Sequence, residues 1–121
     1  MRLIPVYHTI RTAEYAARES IESRGFHVAR ITERQSGRRI PFQLIAWNGE
    51  GRLIFIKLRS FRGRNTPQAI HDEIRNLTLI RRTGEYPGEI QYWIFENLYW
   101  KRYQIYVGGA LCIREECDAT F

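Results

Sequence analysis

The sequence predicts an α/β domain with a mixed central sheet flanked by helices, and three observations carry that prediction. Two segments, Ala13 to Arg24 and Thr66 to about Ile80, repeat apolar residues at helical spacing. Shorter runs rich in β-branched and aromatic residues lie between and after them, bounded by glycine-containing turns. The chain has 121 residues and a mass of 14.4 kDa, enough for one hydrophobic core, so residues 1–121 are read as a single domain.

In chain order, Thr12 is placed to cap the first helix, which carries Glu14 and Glu19 early and an apolar stripe of Ala13, Ala17 and Ile21 beside Tyr15. Gly25 ends it. Phe26 to Thr32 alternates as a strand, with Phe26, Val28 and Arg30 facing one way and His27, Ala29 and Ile31 the other. Gln35 to Arg39 reads as a turn with a basic tip. Phe42–Trp47 and Leu53–Leu58 are apolar runs joined by Asn48-Gly49-Glu50-Gly51, a hairpin signal because Asn and Gly tolerate positive φ.

Thr66-Pro67 sets a capping hydroxyl ahead of a proline at the first helical position, and Ile70, Ile74 and Leu77 continue the stripe. Gly84 to Gly88 breaks it. Ile90–Phe95 and Arg102–Val107 predict two further strands joined through residues 96–100, Leu111–Arg114 adds an edge strand, and residues 115–121 form a short acidic tail. Trp47, Trp93, Trp100, Tyr92, Tyr99, Tyr103 and Tyr106 read as core packing. Tyr99 and Trp100 also suit an aromatic patch at a subunit interface or under unpaired bases.

The formal net charge is +6, and it is concentrated. From Arg24 to Arg64 ten basic residues face only Glu33 and Glu50, a net of +8, while the rest of the chain nets −2. Seventeen of the 19 basic residues are arginine, whose planar fork suits bidentate contacts to phosphate or carboxylate. Polyanions are the expected partners. The longest strongly apolar runs are about five residues, far short of the roughly 20 that span a bilayer, and Met1 to Ile10 lacks the apolar core of a signal peptide. No membrane association and a cytoplasmic location are expected. Cys112 and Cys117 lack a second ligand pair for zinc, and His8, His27 and His71 are dispersed, so all five read as structural or idle.

Pro41-Phe42-Gln43-Leu44-Ile45-Ala46 followed by Leu53-Ile54-Phe55-Ile56-Lys57-Leu58-Arg59-Ser60 resembles the PD-(D/E)XK nuclease superfamily, and within it the archaeal Holliday junction resolvases. The resemblance runs from about Thr12 to Val107 and implies a restriction-endonuclease-like sheet and a homodimer. Residue by residue, Gln43 stands where that family has its aspartate, Lys57 where it has glutamate and Arg59 where it has lysine. Glu14 corresponds to the helix glutamate near the metal.

Such a site is degenerate. A glutamine carbonyl brings no negative charge to a hard cation, and Lys57 adds positive charge where the ion would sit. No cofactor is therefore expected. The same substitutions suit holding a phosphate without activating water. The sequence thus predicts a non-cleaving nucleic-acid-binding domain, for DNA and branched DNA first with RNA also open, using Lys57 and Arg59 flanked by Arg34, Arg38, Arg39, Arg62 and Arg64.

Two other functions stand beside it. One is a magnesium- or manganese-dependent endonuclease with relocated carboxylates, Glu14 with Glu50 or Glu33, or Asp72 and Glu73. The other is a structural or regulatory partner of a nuclease. In the plainer reading of the same residues, Lys57 and Arg59 are solvated and paired with Glu14 or Glu50, Gln43 is a satisfied strand-end amide, and the arginine-rich turn only solubilises.

Overall fold

The computed structural model describes residues 10–32, 34–35, 38–59, 66–96 and 99–113, with side chains for 13–32, 40–59, 66–95 and 100–113. The elements are α1 (Ile10–Ser23), β1 (His27–Arg30), β2 (Arg34–Gln35), β3 (Arg38–Arg39), β4 (Leu44–Trp47), β5 (Leu53–Arg59), α2 (Pro67–Thr83), β6 (Glu89–Glu96), β7 (Tyr99–Tyr106) and β8 (Gly109–Cys112). Six strands form one mixed sheet in the order β1-β4-β5-β6-β7-β8, and β2 pairs with β3 in a separate small hairpin. All neighbours in the large sheet are antiparallel except β5 and β6, whose parallel pairing follows from the crossover through α2.

The two helices cover opposite faces. Ala13, Ala17 and Ile21 of α1 pack on Leu44, Ala46, Ile54, Ile56 and Leu58, and that core continues into Trp93, Phe95 and Trp100. The alanines let the helix backbone approach the strands closely. On the other face Leu77, with Ile70, Ile74 and Ile80 of α2 beside it, joins Phe42, Phe55, Ile90, Tyr92, Ile94 and Ile105. The strand between these cores, β5, buries both of its sides over Ile54, Phe55 and Ile56, which is why its first half reads as a continuous apolar run.

The local signals act as their chemistry requires. Asn48 Oδ1 accepts from the Glu50 and Arg52 amides at 3.1 and 3.0 Å, and Gly51 takes the positive φ of 88° that closes the β4–β5 hairpin. Thr66 Oγ1 accepts from the Ala69 amide at 3.1 Å, Pro67 opens α2, and Gly84 ends it in the left-handed conformation.

Three boundaries differ from expectation. Helix α1 starts at Ile10, so Thr12 lies inside it and is not its cap. Strand β7 starts at Tyr99, which puts Trp100 and Lys101 in the ladder opposite Phe95 and Ile94. The β6–β7 ladder thus runs as far as the Glu96–Tyr99 pair, through residues that looked like a loop. The edge strand begins at Gly109, two residues early. Residues 115–121, expected as an acidic tail, lie outside the described residues, as do Cys117 and His8.

Gly88 precedes β6 where the chain passes against the start of β5, and a Cβ there would intrude on the Leu53 carbonyl. Gly88→Ala should therefore lower the unfolding free energy by about 1–3 kcal/mol in urea denaturation, since a backbone group cannot yield as a flexible side chain does. Gly49→Ala, with open space around the glycine, should change it by less than about 0.5 kcal/mol.

Candidate nucleic-acid interface

Alternation along β5 determines where its charges go. Ile56 and Leu58 face α1, so Lys57 and Arg59 share the face of Phe55, under α2. Helix α2 answers with Glu73, whose Oε1 lies 4.0 Å from Arg59 Nη1. Glu73 is thus the counter-charge of this cluster, where the sequence suggested an ordinary surface residue. Its neighbour Asp72 is exposed and accepts from Gln68 at 2.8 Å.

The parallel register places Tyr92 beside Lys57, and Tyr103 follows Tyr92 on β7 with the two rings stacked at 6.4 Å. Tyr92 is fully buried, with the Arg59 guanidinium within reach of its hydroxyl. Burial pushes its pKa up to about 12, and the positive charge of Arg59 opposes that rise without cancelling it.

Gln43 has a structural task. It directly precedes β4, its amide donates to the Ile56 carbonyl at 3.0 Å, and its Oε1 accepts from the Leu58 amide at 2.7 Å. The side chain extends the β4–β5 ladder by one rung where the backbone no longer supplies an acceptor. Its carbonyl is already engaged by the strand.

Glu14 stands apart from these residues. It is buried on the α1 face and pairs with Arg30, Oε2 to Nε 2.9 Å. The set Glu14, Gln43, Lys57 and Arg59 is therefore not one constellation: the sheet lies between Glu14 and the two cations. The period of two is the cause, since 57 and 59 cannot share a face with the residues that α1 covers. The pairing of Lys57 or Arg59 with Glu14 or Glu50 gives way to Arg59 with Glu73 and Arg30 with Glu14.

Glu50 lies exposed in the turn beyond Trp47, whereas Arg30, the partner of Glu14, pairs with Leu44. Three strand residues, about 10 Å, separate those levels. Glu33, Arg62 and Arg64 lie outside the described residues. Among the described residues no three His, Cys, Asp or Glu side chains are grouped as a metal site would require.

The chain leaves β1 after Arg30 and enters β4 at Leu44, which pairs with Ile56. The β2–β3 hairpin, with backbone pairs Arg34–Arg39 and Gln35–Arg38, is therefore inserted at the same end of the sheet that carries Lys57 and Arg59. The side chains of Arg34, Arg38 and Arg39 are outside the described set.

The aromatics divide. Trp100 is buried against Trp93 and Phe95, with ring centroids 5.6 and 5.1 Å away, so it belongs to the core and not to an exposed patch. Trp47 is 40% exposed and stacks on His27 at 5.7 Å, a surface platform that sequence periodicity had assigned to the core. Cys112 is a free, exposed thiol on β8, and His71 is exposed on α2. Among the described residues no helix is long and apolar enough to cross a membrane. Comparison with protein-family models and with curated proteins finds no match.

Tyr92→Phe removes a buried hydroxyl beside Arg59 and should change stability at pH 7 by less than about 1.5 kcal/mol in thermal or urea unfolding. With a folded pKa of about 12 against roughly 10 unfolded, the unfolded state loses the proton first as pH rises. The native protein's stability should therefore fall between pH 10 and 12, and Tyr92→Phe should gain on it over that range.

Proposed function

We propose that this protein is a non-cleaving nucleic-acid-binding module that holds sugar-phosphate backbone at the sheet end where β5 terminates. One observation carries the reading: Lys57 and Arg59 point to the same side of β5 at the end where the arginine-bearing β2–β3 hairpin is inserted. Two cations one strand repeat apart lie roughly 6–7 Å from each other, close to the spacing of successive phosphates. Arg62 and Arg64 follow Arg59 in the sequence.

The order of elements supports a relation to the resolvase-like nucleases at the level of fold: a helix, three antiparallel strands, a second helix and a strand parallel to the third. Fold does not carry activity. The residues at the matched positions favour binding over hydrolysis. Gln43 spends its carbonyl on the Leu58 amide and Glu14 spends its carboxylate on Arg30, while Lys57 and Arg59 supply positive charge. These groups neutralise a phosphate and offer no means of activating a water. DNA with a branch is the first substrate to try, and a homodimer is the assembly that would address two of its strands.

Equilibrium binding of a fluorescent four-way junction and of matched duplex, in EDTA at about 50 and 200 mM salt, tests the reading. Binding should weaken steeply with salt, and a tighter junction than duplex complex would support the branched preference. Lys57→Ala with Arg59→Ala should reduce the slope of log K against log salt by about 2, one for each phosphate no longer neutralised. No binding at low salt would overturn the function, and an unchanged slope would remove these two residues from it.

A further inference from the structure

Helix α2 lies over β6, β7 and β8, so on its side of the sheet β1 and β4 carry no helix among the described residues. Alternation decides what that bare surface is made of. Val28 and Ala46 join the α1 core, so His27, Ala29, Ile45 and Trp47 face the other way, on the side of Leu53 and Phe55 of β5. The register sets them in rows. His27, Trp47 and Leu53 stand abreast at the β4–β5 hairpin end, and Ala29, Ile45 and Phe55 stand abreast one repeat further on.

The first row is an aromatic platform. Trp47 is 40% exposed where Trp93 and Trp100 are buried, and His27, itself exposed, stacks against it with the ring planes 29° apart. This cross-strand contact holds the indole in one orientation, so a flat ligand meets a ring that is already ordered. Beyond it the half-buried Ala29 and Ile45 make a low apolar floor. Lys57 is on the same face, four residues along β5 from Leu53, a span of roughly 13 Å, or twice the separation of Lys57 from Arg59.

Charge divides this face in two. Glu50 lies exposed in the turn that follows Trp47, while Arg52, the cation of that turn, is bound to Glu89 and lies over Phe26 on the α1 side. The platform end therefore disfavours a phosphate and accepts a neutral flat group, and the Lys57 end does the reverse. A nucleotide strand has both parts, but in a duplex each base is paired and stacked on its neighbours. Only unpaired bases offer a free π-face to an aromatic side chain.

We propose that the bare β1–β4 face binds an unpaired stretch of nucleic acid, with one base stacked on Trp47 and the backbone running to Lys57 about two phosphate spacings away. This inference rests on the phosphate-binding reading of Lys57 and Arg59 and adds to it the class of strand that is held.

The test measures binding of a labelled twelve-nucleotide oligothymidylate to the full chain in EDTA, beside its matched duplex and a strand of the same backbone with abasic sugars. The oligothymidylate should bind about tenfold more tightly than either control and quench tryptophan emission. Trp47→Ala should weaken it about tenfold and cancel its advantage over the abasic strand, without changing the slope of log K against log salt, and Trp47→Phe should restore most of the affinity. The abasic comparison uses the native protein, so the test holds even if Trp47→Ala fails to fold. Equal binding of the abasic strand, a preference for duplex, or unchanged affinity in folded Trp47→Ala would overturn the inference. So would a Trp47→Ala variant that alters self-association in sedimentation and leaves affinity intact, since the platform would then be a protein contact. If duplex or junction binds with a salt slope set by Lys57 and Arg59 while bases add nothing, this inference fails and the phosphate-binding reading stands; if no nucleic acid binds, both fail.

Discussion

The alternation of side chains along β5 is the constraint on which the rest of the structure depends. This strand is hydrogen-bonded antiparallel to β4 on one side and parallel to β6 on the other, and it is the meeting line of both cores. Ile54, Ile56 and Leu58 must face α1, so Phe55, Lys57 and Arg59 must face α2. A slip of one residue would place two cations against Ala13 and Ala17. The register is therefore held by burial on both sides, and the positions of the cations follow from it.

That separation sorts the molecule's positive charge into two places. Lys57 and Arg59, with the β2–β3 hairpin, occupy one end of the sheet; Arg24 and Arg52 of the same basic segment line a cavity at the other end and on the other face. The pairs within each place differ in kind. Arg52 and Glu89 meet bidentately and are tied into a longer amide chain, while Arg59 and Glu73 stand 4.0 Å apart.

Much of the fold was legible because its signals are local. The Asn48–Gly51 turn, the Thr66-Pro67 start of α2 and its Gly84 stop each act within a few residues and occur as read. Thr12 and Trp100 were misplaced for the opposite reason. Helix α1 begins at Ile10, ahead of its apparent cap. Trp100 entered the ladder because its ring is buried by Trp93 and Phe95, residues it meets only after the hairpin forms. Gln43 was legible as a strand-end amide, but its bond to Leu58 crosses fifteen positions in sequence.

By itself the sequence determined the α/β class, the identity and order of the main elements, and the concentration of arginine in one segment, because periodicity, turn chemistry and composition need no partner. Tertiary structure alone decided that Glu14 lies across the sheet from Lys57 and Arg59, that Glu73 faces Arg59, and that Gln91, Gln104, Glu89 and Arg52 form one network. Each of those outcomes depends on strand register and on which face a helix covers. Both are set by simultaneous burial of distant apolar residues, and no short window of sequence contains them.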